Sequence, residues 1–409
     1  MFHSEGAELR ILVLHNSYKE KGGEDSVFFR EVELLRGHGH HVETYAVHND
    51  EIDGWSTLER AARPIWNQPQ YRLVSQLLPD FPADIVHVHN FYAVLSPAVC
   101  HAARRRGAAV VQSLHNYRLG CPSAGLLREG RICTDCLGKT FAWPGILHAC
   151  YHGSRAASFS VAATIAAHHL IGTRPRTVDA YIVLSEFARG LLAESGIPRE
   201  RLYVKPNFAP EPQALRRGVH RRGALYVGRL TAEKGVPLLL DAWRHLDISL
   251  RVIGSGPLMP AKTAHPSSLE FLGARSSQEV MAAMGEAALL VMPATWYEPF
   301  GLVVVEAFAM GLPVLASRIG ALPEIITHGE TGLLFEPGSV DSILSLARQA
   351  FADRETLARM GENAYAAYRA RYSPEVNYAK LMAIYDSAIA RRRNLPSKVR
   401  AELNVGARR

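Results

Sequence analysis

The chain has 409 residues, 48% of them hydrophobic and 21% charged. That length exceeds one ordinary core and predicts two domains, and with no low-complexity tract the composition excludes disordered and fibrous classes. A net charge of +7 is too thinly spread at this length to mark a nucleic-acid binder.

Basic clusters at Arg104-Arg105-Arg106, Arg216-Arg217, Arg221-Arg222 and Arg391-Arg392-Arg393 fit an anionic membrane surface at least as well, or simply a solvated surface. No apolar run reaches the ~20 residues that span a bilayer, and Met1 to Arg10 lacks the apolar centre of a secretory signal. A cytoplasmic location is expected, with the inner face of the membrane as a place of association.

Ile11 to His15 reads as a buried strand, followed by a loop, Asn16 to Asp25, that contains Gly22 and Gly23. A helix then runs through Arg36 and stops at Gly37. Paired glycines at a strand-to-helix turn let the backbone approach a ligand, and the helix terminus beyond suits an anion; a plain tight turn gives the same pattern. Further strands are expected at Val42–Val47, Asp84–His89, Ala108–His115 and Ala180–Ser185, mostly with helices between them. This alternation predicts a parallel doubly wound sheet, whose ligands gather at the carboxyl ends of its strands. Three of those ends carry polar pairs: His89-Asn90, His115-Asn116 and Ser185-Glu186. Ala156 to Ile171 is nearly uncharged and small-residue-rich, which predicts a buried helix, with peripheral membrane contact as the alternative.

Four of the five cysteines, Cys121, Cys133, Cys136 and Cys150, fall in one long connection between Asn116 and Tyr151. A Cys-x-x-Cys pair with two flanking cysteines is compatible with a structural zinc, with His148 and His152 as further ligand candidates; free thiols remain the alternative, since the outer spacings match no strict finger.

After Lys205-Pro206-Asn207-Phe208 the composition turns to proline, arginine and glycine, as in an interdomain linker. A second strand series starts at Ala224–Gly228, and Arg229 and Lys234 follow it about one loop apart. Fixed cations there suit a departing diphosphate, whose charge is greatest as it leaves. Val252-Ile253-Gly254 ends a strand in a glycine loop, and Leu269–Gly273 precedes Arg275. The apolar run Ala288–Met292 leads into PATWYEPFGLVVVEAFAMGLP, from Pro293 to Pro313. A helix is expected from Pro299 or Phe300 to near Gly311, offering the N–H groups of Phe300, Gly301 and Leu302 to a phosphate. Glu298 precedes those donors. Glu306 lies in an apolar run where an unpaired carboxylate is costly, so it needs partners.

Glu298-Pro299-Phe300-Gly301, Glu306-Ala307 and Gly311-Leu312-Pro313 together resemble the E-x7-E signature of the retaining glycosyltransferases of family 4. Gly228-Arg229 with Lys234-Gly235 is similar to that family's donor-diphosphate motif, and the resemblance extends over nearly the whole chain. It implies the GT-B fold: two Rossmann-like α/β domains with doubly wound parallel sheets facing a central cleft. The expected division is an acceptor-side domain over 1–207 with a cysteine-containing insert at 116–155, a linker over 208–223, and a nucleotide-sugar domain over 224–373. A helix over 374–391 would cross back to the first domain, ahead of a basic tail over 392–409.

The implied activity moves a sugar from a UDP- or GDP-linked donor to a glycan or lipid-linked acceptor with retention, in cell-surface polysaccharide or glycolipid assembly, without a catalytic metal. By the same resemblance Arg229 and Lys234 stabilise the diphosphate, Glu306 binds ribose and Glu298 binds the donor sugar. Gly254 and Arg275 lie near the nucleotide, Gly22 and Gly23 beside the diphosphate, His115 beside the donor sugar, and His89 and Asn90 towards the acceptor. Rival readings are an epimerase or phosphorylase of the same architecture and a noncatalytic sugar-nucleotide-binding protein.

Overall fold

The computed structural model describes residues 8–19, 22–212, 221–259 and 268–394. Arg216-Arg217 and the tail beyond Asn394 lie outside the described residues. The chain divides into two compact units. One comprises Met1–Gly125, Thr134–Lys205 and Tyr378–Arg409, the other Leu126–Cys133 and Pro206–Asn377.

The first unit is built on six parallel strands: β1 (Arg10–Ser17), β2 (His41–His48), β3 (Ile85–Val88), β4 (Ala109–Leu114), β7 (Ala180–Val183) and β8 (Leu202–Val204). Their order is β2-β1-β3-β4-β7-β8. β3, β4 and β7 are buried along their whole length, which is why each reads as a continuous apolar run rather than an alternating one. Ile11, Val13, Ile85 and Val111 pack with Phe28 and Val32 of the helix Gly23–Gly37 and with Leu381 and Tyr385 of the helix Pro374–Arg393.

The second unit repeats the plan with β9 (Ala224–Val227), β10 (Leu250–Ile253), β11 (Leu269–Gly273), β12 (Leu289–Met292), β13 (Val314–Ser317) and β14 (Gly332–Phe335). The order is β11-β10-β9-β12-β13-β14, again parallel throughout. Trp243 is fully buried in its core beside Leu239, Val252 and Phe335, and its indole N–H donates to the Ile248 carbonyl at 3.0 Å. In both sheets the chain fills one side of a central strand and then returns to its other side. Between β1 and β3, and between β9 and β12, lie the two switch points where a doubly wound sheet opens a crevice.

Three expectations change. The helix after β12 begins at Leu302, not at Pro299 or Phe300, because its cap Gly301 adopts φ 89° and breaks helical continuity there. The segment around Ala156–Ile171 is a helix, Arg155–Leu170, but not a buried one: Phe159 and Leu170 stand in solvent. Arg104 is no surface cation, since it is 3% exposed and its Nη1 donates to both carboxylate oxygens of Asp179 at 2.6 and 2.7 Å. The cysteine segment also contains an unanticipated hairpin, β5 (Leu127–Arg128) with β6 (Arg131–Ile132). Its turn residues Glu129 and Gly130 have φ of 51° and 74°, the positive pair that a tight hairpin turn demands.

Candidate active site

In the second unit the candidate residues lie beyond the carboxyl ends of β9, β10, β11 and β12. Lys234 lies in the turn after β9 and Glu298 in the loop after β12, so they flank the switch point. Lys234 Nζ donates to Glu298 Oε2 at 2.7 Å, and the Trp296 indole N–H donates to the same oxygen at 3.1 Å. The ammonium also stands 5.1 Å from the Trp296 ring centroid, a cation–π distance. The Glu298 side chain is 9% exposed and that of Lys234 21%. A charged group is therefore held at the edge of solvent in one orientation, by a carboxylate and a ring at once.

Backbone geometry fixes this arrangement. Gly235 has φ 75°, and a Cβ on it would meet the Pro293 carbonyl oxygen at 1.7 Å, so the β9 and β12 loops touch through backbone alone. Gly254 has φ 144° and would meet the Gly228 oxygen at 1.8 Å, which locks the β9 and β10 loops together in the same way.

The other expected residues have separate settings. Arg229 is half exposed and lies 3.8 Å from Glu233, while its carbonyl accepts from the Tyr226 hydroxyl at 2.8 Å. Arg275 is exposed, 3.7 Å from Glu279. Glu306 is half-buried on the same face of the helix Leu302–Ala309 as Leu302 and Val303. Phe300 is buried, its ring 6.1 Å from that of Tyr372. The first helical N–H groups are those of Leu302 and Val303, because Val304 N–H already donates to the Gly301 carbonyl at 2.9 Å.

Two of the first unit's three polar strand ends meet in one largely buried chain, while Ser185 caps the helix Glu186–Glu194. His115 is part-exposed after β4, and its Nε2 lies 3.3 Å from His89 Nδ1. His89 Nε2 lies 3.2 Å from Glu31 Oε1, and Lys205 Nζ donates to Glu31 Oε2 at 2.7 Å. His89, 2% exposed, thus sits beneath His115. Burial pushes Glu31 up, but Lys205, His89 and His87 outweigh it and hold the carboxyl well below its usual range. Burial, reinforced by His87, pushes His89 down to about 4.

Gly22 caps the helix Gly23–Gly37, and its N–H donates to Asp25 Oδ2 at 2.7 Å. The Asn90 side-chain amide donates to the Asn16 carbonyl at 2.6 Å. Nearby Glu24 is pushed up to about 8 by burial and by Asp25, against the pull of Arg118. The Arg118 guanidinium itself lies 4.8 Å from the Tyr92 ring centroid and 4.9 Å from that of Tyr151.

Among the described residues, Glu31, His87 and His89 form the one group of three or more potential metal ligands with atoms within 4.8 Å of one another. Its charge is already met by Lys205. Cys121, Cys133, Cys136 and Cys150 do not form such a group. Trp296, Glu31 and Lys205 were not anticipated. Glu31 lacked the signal that marked Glu306, because its segment SVFFREVELL also holds Arg30 and the exposed Glu33.

Residues 4–207 match the family model of the glycosyl transferase 4-like domain, and residues 210–367 match that of glycosyl transferases group 1. The chain is 31% identical over 190 residues to an uncharacterized glycosyltransferase of Methanocaldococcus jannaschii, covering 45% of this chain and 53% of that one. It is 35% identical over 189 residues to a D-inositol 3-phosphate glycosyltransferase of Corynebacterium glutamicum, covering 42% and 45%. The chain thus spans about half the length of these curated relatives. Among solved structures, Anabaena HepE in complex with UDP and glucose superposes with a TM-score of 0.63 at 19% identity, over 92% of this chain and 99% of that one.

Proposed function

The chain belongs to the glycosyl transferases group 1 family and has the GT-B fold, and on that premise we propose that it moves a sugar from a nucleoside diphosphate donor to a glycan or lipid-linked acceptor with retention of configuration. The observation that carries this reading is the Lys234–Glu298 contact at the β9/β12 switch point, beside the start of the helix Leu302–Ala309. When the bond from sugar to phosphate breaks, negative charge collects on the diphosphate oxygens. Lys234, already oriented by Glu298 and Trp296, stabilises that charge without a reorganisation cost, and the Leu302 and Val303 N–H groups add the positive end of a helix. Arg229 is half exposed and reaches the same phosphates once it leaves Glu233.

Glu298 accepts donor-sugar hydroxyls and stabilises the positive charge that develops at the anomeric carbon. Glu306 accepts from the ribose hydroxyls, with Gly254 leaving room for the nucleotide and Arg275 near the base. In the first unit, Gly22 and Gly23 leave room for an approaching phosphate and Asn90 faces the acceptor side. His115 holds a donor-sugar hydroxyl, backed by His89. The leaving phosphate takes the acceptor proton on the face it departs from, so no separate base is needed. The UDP and glucose bound by HepE support the donor class. Assembly of cell-surface polysaccharide or glycolipid is the setting this reading favours.

A panel of UDP- and GDP-sugars tests the reading through shifts in melting temperature, followed by NMR of the product anomer. One donor should stabilise the fold and yield an α or β linkage matching its own. Conversion of the donor with no acceptor present would favour an epimerase, and absence of any donor binding would favour a noncatalytic role.

A further inference from the structure

The helix Arg155–Leu170 carries apolar side chains on both of its sides. Val161, Ala162 and Ile165 turn inward, whereas Phe159 and Leu170 are exposed on the solvent side with Arg155 and Ala156, and Ala163 and Ala166 are half-buried between them. Phe159 is 54% exposed, and its ring meets that of exposed Phe141 edge-on with 6.2 Å between centroids. The short helix Trp143–Leu147 packs against Arg155–Leu170 and leaves both Trp143 and Leu147 54% exposed. Phe29, Leu58 and Leu77 are exposed elsewhere in this unit as single side chains, whereas Phe141, Trp143 and Phe159 gather three exposed rings at one place, and that concentration marks a contact face.

Charge indicates what it contacts. No aspartate or glutamate occurs between Asp135 and Asp179. Within that interval Lys139, His148, His152, Arg155 and Arg176 are all exposed. The acid on the adjoining helix Thr57–Ala62, Glu59, is held by Arg63 and Ser56. A two-fold pairing of two copies through this face would oppose like charges. Among the described residues no helix is long and apolar enough to cross a membrane, so lipid contact here is attachment to a surface.

We propose that this face docks on a bilayer surface containing anionic lipid. Phe141, Trp143, Leu147 and Phe159 enter the interfacial layer, and Lys139 and Arg155 sit against the headgroups. The proposal stands apart from the sugar-transfer reading, because its readout is binding and not turnover.

Flotation of the full chain with phosphatidylcholine vesicles, with and without phosphatidylglycerol, tests it. The chain should float with the anionic vesicles and much less with the neutral ones. The Trp143→Ser/Phe159→Ser and Lys139→Glu/Arg155→Glu variants should each lower the partition coefficient about tenfold, with unchanged melting curves. The charge-reversal pair changes only exposed side chains and keeps the test valid if the first pair misfolds. Failure to float, or equal flotation of folded variants, overturns the proposal. So does a dimer seen by light scattering without lipid and lost in Trp143→Ser/Phe159→Ser, which would assign the face to a second copy.

Discussion

Lys234 Nζ lies 2.7 Å from Glu298 Oε2, joining the loops that follow two adjacent central strands. The pair holds a cation at the switch point before any ligand arrives. Lys234→Ala should lower kcat by about 10²–10³ with a smaller change in KM, because the cation matters most when diphosphate charge is greatest. Glu298→Gln keeps the shape and removes the counter-charge, and should lower kcat as well. Steady-state kinetics on the donor found by the panel would check both, and equal losses in KM alone would contradict these roles.

Gly235→Ala tests the backbone contact behind that pair. The new methyl group would meet the Pro293 carbonyl oxygen and force a side chain into φ 75°. A loss of at least ~1–3 kcal/mol is expected, read from urea unfolding, with donor turnover falling because Lys234 moves. Wild-type stability would show that the two loops do not need this approach.

The first unit's counterpart is the buried Glu31–Lys205 pair. Lys205→Met leaves a carboxylate without its ammonium and should cost roughly 3–5 kcal/mol, whereas Glu31→Gln/Lys205→Met should recover part of the loss. The folded Glu31 lies below its ordinary value of 4.5. Its stabilisation is therefore present above the unfolded value and is lost as pH falls through the folded one. Acid unfolding of the wild type should show this dependence, and Glu31→Gln should lack it.

Much of the architecture was legible because buried parallel strands leave short apolar runs. The expected strands at Ile11–His15, Asp84–His89, Ala108–His115, Ala180–Ser185 and Ala224–Gly228 fall on such runs and coincide with β1, β3, β4, β7 and β9. The site was less legible wherever its contacts are long-range. Glu31 and Lys205 lie 174 residues apart, and no local pattern ties them. Nothing in the sequence distinguishes Trp296 from other loop aromatics; only the fold brings its N–H to Glu298 and its ring to Lys234. The helix start was misplaced because Pro299 is a good first-turn residue, while the positive φ of Gly301 is invisible in the sequence. The helix Arg155–Leu170 misled for a different reason: an apolar segment reads as buried whether protein covers it or not.

Glu24 gives a pH signature of opposite sign to Glu31. Its folded value is raised to about 8 from an ordinary 4.5, so the folded state holds its proton more tightly than the unfolded one. Stability should fall from this source as pH rises from the unfolded value towards 8. Glu24→Gln should therefore gain in melting temperature relative to wild type as pH goes from about 5 to 8. A gap that stays constant across that range would place Glu24 in an ordinary solvated setting.

Glu306→Ala should weaken donor binding, by roughly 1.5–3 kcal/mol for loss of charged hydrogen bonds to ribose, with kcat at saturating donor nearly unchanged. Calorimetric titration with the nucleoside diphosphate would show it. Unchanged affinity would remove Glu306 from the nucleotide site.

Sugar transfer at the Lys234–Glu298 pair is tested most directly by nucleoside diphosphate release from a panel of UDP- and GDP-sugars with and without acceptor, comparing wild type with Lys234→Ala. The expected result is acceptor-dependent release by the wild type, with a new glycoside of retained configuration, and a near-complete loss in the folded variant. Release at wild-type rate by Lys234→Ala, or a product of inverted configuration, would contradict it.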